Sequence, residues 1–201
     1  MLEDIITNAY NEEDPINDIR AENEHLIYTR AERLDFNRAH LTNCRFENCD
    51  LTGASFLNCT LTRCTFVECN FSGAYFRDTV LEDSSASGCG FTKALFRKTQ
   101  LRGGFYRYAN FSDSVFESSL LKDVSLAESA LIQAKLKKTE LISADLSKCD
   151  VLGTPLKGLD LSECNIGGML LSEDLRELKG AKISTMQAAE LIRLLDIEVV
   201  I

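Results

Sequence analysis

The chain has 201 residues, is 45% hydrophobic and 26% charged, and carries a formal net charge of −9 at pH 7. That length fits one domain or two small ones, and the apolar share is enough for a sizeable core. No run of about 18 apolar residues exists, which excludes a membrane-spanning helix, and the absence of a glycine-rich phosphate loop removes one common route to an enzyme.

Residues 1–30 come first and read as an acidic N-terminal segment. Their opening stretch, MLEDIITNAYNEEDP, lacks the basic and apolar blocks of a signal peptide, so a cytoplasmic location is expected. Residues 1–35 hold ten acids against three bases, a net of −7. The segment reads as out of phase with the repeat that begins at residue 31, either capping its first coil or lying solvated.

Residues 31–173 form the second region. Large apolar residues fall every five positions from Phe36 to Leu171 without a slip, and only Ala86 in that series is small. All eight cysteines, from Cys44 to Cys164, share one phase, two places before a large residue. A period of five matches neither a helix at 3.6 nor a strand at 2. It fits stacked repeats in which each five-residue unit is one side of a square and 20 residues make a coil. At that spacing Phe36, Phe56, Phe76, Phe96 and Phe116 form one column, and Leu41, Leu61, Leu81, Leu101 and Leu121 another. Like side chains stacked at about 4.8 Å, the inter-strand spacing, are the expected core.

The cysteines occupy inward positions. Apolar burial raises a thiol pKa, so they read as unreactive packing residues. Parallel stacking in a reducing compartment argues against disulfides, and no Cys-x-x-Cys spacing marks a metal site. His25 and His40 read as surface residues. No catalytic residue, metal or cofactor is expected.

Sorting the outward residues by side of the square separates their charges. The side of the phenylalanine column carries Arg38, Arg77, Arg97, Lys98, Lys135, Lys137, Lys138 and Lys157 against Asp78 and Glu117, a net of +6. The side of the leucine column carries Glu82, Asp83, Asp123, Glu140, Asp160 and Glu163 against Arg63, Arg102 and Lys122, a net of −3. The side before the phenylalanine column is also at −3, and the remaining side is at −1. The pattern is a rod with one basic face between two acidic ones.

Residues 174–201 form the third region. Ser172 is placed to cap a short turn that Gly180 ends, and Ser184 with Gln187 forms an S-x-x-Q capping box. The helix after it puts Ala188, Leu191, Ile192 and Leu195 on one face. Ile197, Val199 and Ile201 then alternate as a short strand.

The units NCDLT, GASFL, NCTLT, GAYFR, KALFR and SADLS resemble the A(D/N)LXX units of the pentapeptide-repeat family. The resemblance implies an all-β solenoid, a right-handed quadrilateral β-helix of about seven coils with a C-terminal α-helix. Such a rod would be about 34 Å long. The C-terminal region, with Lys182-Ile183, a leucine-rich helix and a valine-rich end, resembles the Qnr-type branch of quinolone-resistance proteins. That resemblance implies a tail-to-tail homodimer through Met186, Leu191, Ile192, Leu195, Ile197 and Val199. It also implies binding to a type II topoisomerase, DNA gyrase or topoisomerase IV, by DNA mimicry. The acidic face, Glu82, Asp83, Asp123, Glu140, Asp160 and Glu163, is the candidate contact, with no direct nucleic acid and no membrane partner. The chain departs from plasmid-borne Qnr proteins in having no loop that interrupts the frame. The alternative is an interaction scaffold with an unrelated partner.

Overall fold

The computed structural model describes residues 1–193. Leu195, Ile197, Val199 and the expected final strand lie outside the described residues.

Leu2–Glu12 forms an α-helix, α1, with Leu2, Ile6 and Ala9 buried along one face. The spacing is that of an amphipathic helix. Glu13 ends it in the left-handed conformation (φ 57°), and the Asp14 N–H donates to the Ala9 carbonyl at 3.0 Å.

A parallel β-solenoid comes next, and it begins earlier than the apolar spacing suggests. Ile16 pairs with Phe36, Ala21 with Leu41 and Leu26 with Phe46, each 20 residues apart. Residues 16–30 are therefore in phase and belong to the first coil, which corrects their assignment to an out-of-phase segment. Two of the inward centres are alanines, Ala21 and Ala31, and these small residues conceal the period.

The coil has four sides. The first is a sheet of seven parallel strands running from Ile16–Asn17 to Lys135–Lys137. The second has seven, from Arg20–Glu22 to Glu140–Ile142. The third has three strands, His25–Ile27, Arg45–Glu47 and Thr65–Val67, and continues as single bridges from Ser85 to Asn165. The fourth is bridges alone, from Arg30↔Asp50 to Asp150↔Leu170. The 20-residue register places like residues over one another. Phe56 and Phe76 stack at 4.9 Å and 5°, and Phe96 and Phe116 at 4.5 Å and 5°. Each fully buried Phe or Leu contributes about 1.5–3 kcal/mol, and each aromatic pair about 0.5–1.5 kcal/mol more.

The corners explain the outward composition. The second residue after most centres has positive φ, for example Arg38 (55°), Asn43 (52°) and Asp78 (51°). A left-handed residue in a row this regular costs about 1–2 kcal/mol, which the register-wide stacking offsets.

The inward small position has its own requirement. Its side chain lies beside the carbonyl of a centre 23 residues earlier, and a short donor can reach it. Thr79 Oγ1 donates to Phe56 O at 2.9 Å, Ser119 Oγ to Phe96 O at 3.1 Å, and Cys59 Sγ to Phe36 O at 3.2 Å. The same hydroxyls accept from the coil before: Cys59 N donates to Thr79 Oγ1 at 3.2 Å and Cys64 N to Ser84 Oγ at 3.0 Å. Cys, Ser and Thr are thus favoured by hydrogen bonding as well as size. All eight cysteines are buried and free. Burial pushes the Cys149 thiol up to about 11.

The ladder of the first side stops at Lys135–Lys137. The next coil would donate from residue 155, and Pro155 has no N–H. Beyond it the register slips, with Asp160 bridging Lys182 at a spacing of 22 rather than 20. A 3₁₀ turn, Arg176–Leu178, and a second helix, α2 (Thr185–Arg193), cover the last coil. The capping box forms as expected: Gln187 N donates to Ser184 Oγ at 3.2 Å, and Ser184 N to Gln187 Oε1 at 2.7 Å. Gln187 Nε2 also donates to the carbonyls of Leu161 and Cys164, fastening α2 to the coil.

Candidate functional site

The flat sides of the rod carry the candidate residues. All six carboxylates of the acidic set lie exposed on the second side. Asp83, Asp123 and Glu163 share one column and recur every second coil, about 9.6 Å apart. Gly103 separates the first two, and its bare Cα makes room for Asp83: a Cβ there would lie 2.3 Å from Asp83 Oδ1. Glu140 and Asp160 share a second column. Glu82 belongs to neither and sits in register with Arg102.

Asp160 is the least available of the six. Its Oδ1 accepts from the Ser162 hydroxyl at 2.6 Å and the Ser162 N–H at 3.1 Å, and Lys182 Nζ lies 3.9 Å from Oδ2. The Ser162 contacts, with Lys182 behind them, hold its carboxyl below the usual range. Among the described residues, the other five make no ion pair within 4.0 Å.

The expected dimer residues divide. Met186 is 81% exposed at the start of α2, and Ile192 is half-buried. Leu191 is 9% exposed and packs in the chain's own core. Its position on the helix face turned to the coil makes it part of the cap of a single chain.

Three features are not apparent from the repeat pattern. Glu177 is 2% exposed at the C-terminal turn and accepts from Gly153 N, Ser172 N and the Ser172 hydroxyl. Burial pushes its carboxyl up, but these donors outweigh burial and hold it at about 2. The S-x-x-x-x-E spacing at Ser172 is the only local signal of it. Second, Phe105 and Tyr108 stand exposed on the third side, with Arg107 over the Tyr108 ring and paired to Glu128 at 3.0 Å. Third, an open cleft of about 820 Å³ lies between the end of α1 and the first coils, lined by Tyr10, Glu13, Asp14, Arg30, Arg33 and Asp50 among others. It is visible only once residues 16–30 are placed in the solenoid.

No helix among the described residues is long and apolar enough to cross a membrane. No group of His, Cys, Asp and Glu there is arranged to hold a metal ion.

The family model for the pentapeptide repeat region matches residues 39–103 and 54–131. No curated protein matches the chain. Among solved structures, two trypsin-treated variants of QnrB1, a plasmid-mediated fluoroquinolone resistance protein, share the fold. One aligns at a TM-score of 0.57 and 21% identity over 89% of this chain and 99% of that one. The other aligns at 0.56 and 21% over 90% and 98%.

Proposed function

We propose that this pentapeptide-repeat protein acts without catalysis, by binding a type II topoisomerase, DNA gyrase or topoisomerase IV, through partial mimicry of DNA. Binding would protect the enzyme against quinolone-type inhibitors or modulate its supercoiling. The observation that carries this reading is the exposed carboxylate column on a flat side, Asp83, Asp123 and Glu163, repeated at a fixed interval. A rigid row of like charges focuses potential and steers a basic groove toward it. The shared fold with QnrB1 supports it further.

A homodimer joined at the C-terminal end belongs to the same proposal. Met186 is its exposed contact among the described residues, and Ile192, nearly two turns further along α2, is half-buried. Leu191 is left out because it is committed to the core. A cytoplasmic setting fits eight buried cysteines without a disulfide. A second reading, a scaffold for an unrelated protein, draws on the exposed Phe105 and Tyr108, since aromatics are favoured at protein interfaces.

The deciding experiment titrates the protein into gyrase and topoisomerase IV supercoiling and quinolone-induced cleavage assays. Protection that weakens with salt, and is lost on combined Asp83→Lys, Asp123→Lys and Glu163→Lys exchange, is the expected result. Protection untouched by those exchanges removes the acidic column from the mechanism. No effect on either enzyme favours the scaffold. Met186→Asp, measured by light scattering, tests the dimer separately.

A further inference from the structure

The first side of the solenoid holds a charge pattern that topoisomerase binding leaves unused. Its arginines are largely answered within the chain. Arg38 pairs with Asp18 at 2.6 Å, Arg97 with Glu117 at 3.2 Å, and Arg77 with Asp78 at 3.6 Å. Lys98, Lys135, Lys137, Lys138 and Lys157 are exposed, and among the described residues none makes an ion pair. Three of them fall on one rung. Lys135 and Lys137 flank half-buried Leu136, about 6.6 Å apart along the strand, and Lys138 turns the corner. Lys157 comes one coil later and Lys98 two coils earlier, so the five span about 14 Å along the rod.

Like charges gathered this closely repel, and the two carboxylates of this side nearest them, Glu117 in register with Lys137 and Asp78 one coil before Lys98, are already paired with Arg97 and Arg77. The cost is tolerable on an exposed surface but is relieved by an anionic partner. The neighbouring sides restrict its shape. Each strand of this side is three residues wide, about 10 Å. On one flank stand Asp123 and Glu140, and on the other Asp113 and Asp150. A DNA duplex, whose major groove alone is about 12 Å wide, would overhang both acidic flanks. A single extended polypeptide fits between them. The side also has no aromatic row for stacking bases, Tyr75 being the single aromatic among its outward positions.

We infer that the lysine-rich end of the first side is a docking surface for an extended acidic segment of a partner protein, which lies along the rod axis and pairs its carboxylates with Lys98, Lys135, Lys137, Lys138 and Lys157. The inference is independent of the topoisomerase reading, which uses the adjacent side.

The test uses the full chain and a fluorescein-labelled oligoglutamate of about eight residues, long enough to span the lysines when extended. Fluorescence anisotropy is followed at low and at physiological salt. Saturable binding is expected that weakens with salt. It should fall at least tenfold in the combined variant Lys135→Gln, Lys137→Gln, Lys138→Gln and Lys157→Gln. Circular dichroism confirms that the variant folds. A control variant, Arg20→Gln with Arg45→Gln, lies on other sides and should bind as the parent does. Three results overturn the inference: no binding, binding equal in the lysine variant, or tighter binding of a short DNA duplex competed against the peptide.

Discussion

Gly104 lies directly over the Ser84 carbonyl of the coil before it: a Cβ on Gly104 would stand 2.0 Å from that oxygen and 2.9 Å from the Ser84 carbonyl carbon. Its φ is +85°, although it occupies an inward position where most units carry Cys, Ala, Ser or Thr. The obstacle is backbone, so no rotamer relieves it. Gly104→Ala is expected to cost about 3 kcal/mol or more, from overpacking and left-handed strain together. Gly73 provides the comparison. Its φ is +68° with nothing within 4 Å of a Cβ, so Gly73→Ala should cost about 1 kcal/mol. Urea denaturation of the pair measures the difference.

Tyr106 is 1% exposed, and its hydroxyl has no hydrogen-bond partner among the described residues. Burial pushes the phenol up, so it stays neutral. The neighbouring column members are Ala86 and Leu126, and an aromatic ring beside the small Ala86 fills the coil. The ring is needed and the oxygen is not. Tyr106→Phe should therefore stabilise the protein by about 1 kcal/mol, the part of an unsatisfied-hydroxyl penalty recovered on deletion. A rise in thermal midpoint checks it, and a fall would reveal a water or partner at the hydroxyl.

Glu177 links the C-terminal turn to the coil through Gly153 and Ser172. Its folded carboxyl, held at about 2, lies below the about 4.3 of an unfolded glutamate. A depressed carboxyl contributes fully above the unfolded value and loses its contribution as pH falls toward the folded one. Glu177 should thus stabilise the native state on the order of 3 kcal/mol near neutrality, declining between about pH 4.3 and 2. Glu177→Gln should lose most of that at pH 7 and flatten the acid limb of the stability profile. Denaturant melts across that pH window read both effects.

Helix α1 shields the open end of the first coil with Leu2 and Ile6, each 1% exposed. A solenoid end without a cap exposes the hydrophobic cross-section. Ile6→Asp is expected to destabilise by about 3 kcal/mol or more and to induce self-association through the uncovered Ile16 and Leu26. Light scattering and thermal melts track the two consequences. An unchanged, monodisperse melt would mean that the coil is self-sufficient without its helix.

Most of the fold is already written in the five-residue period. An inward large residue and an inward small one in every unit admit only a stacked coil, so the Phe36 and Leu41 columns, the burial of every cysteine and the outward placement of Asp83, Asp123 and Lys137 are legible from spacing. The capping box at Ser184 and Gln187 is equally local and equally legible. The first coil is hidden because Ala21 and Ala31 weaken the apolar contrast on which a period is read, and only pairing of Ile16 with Phe36 reveals it. Three-dimensional placement also decides which charges are answered. Asp160 meets Lys182 through a slip of two residues after Pro155 ends the ladder, and no periodic count contains that slip. The leucine face of α2 reads as an interface from its spacing, yet Leu191 is turned inward. Whether a helix face turns to its own coil or to a partner depends on how Gln187 fastens α2 to Leu161 and Cys164, a contact spanning more than 20 residues that local spacing does not carry.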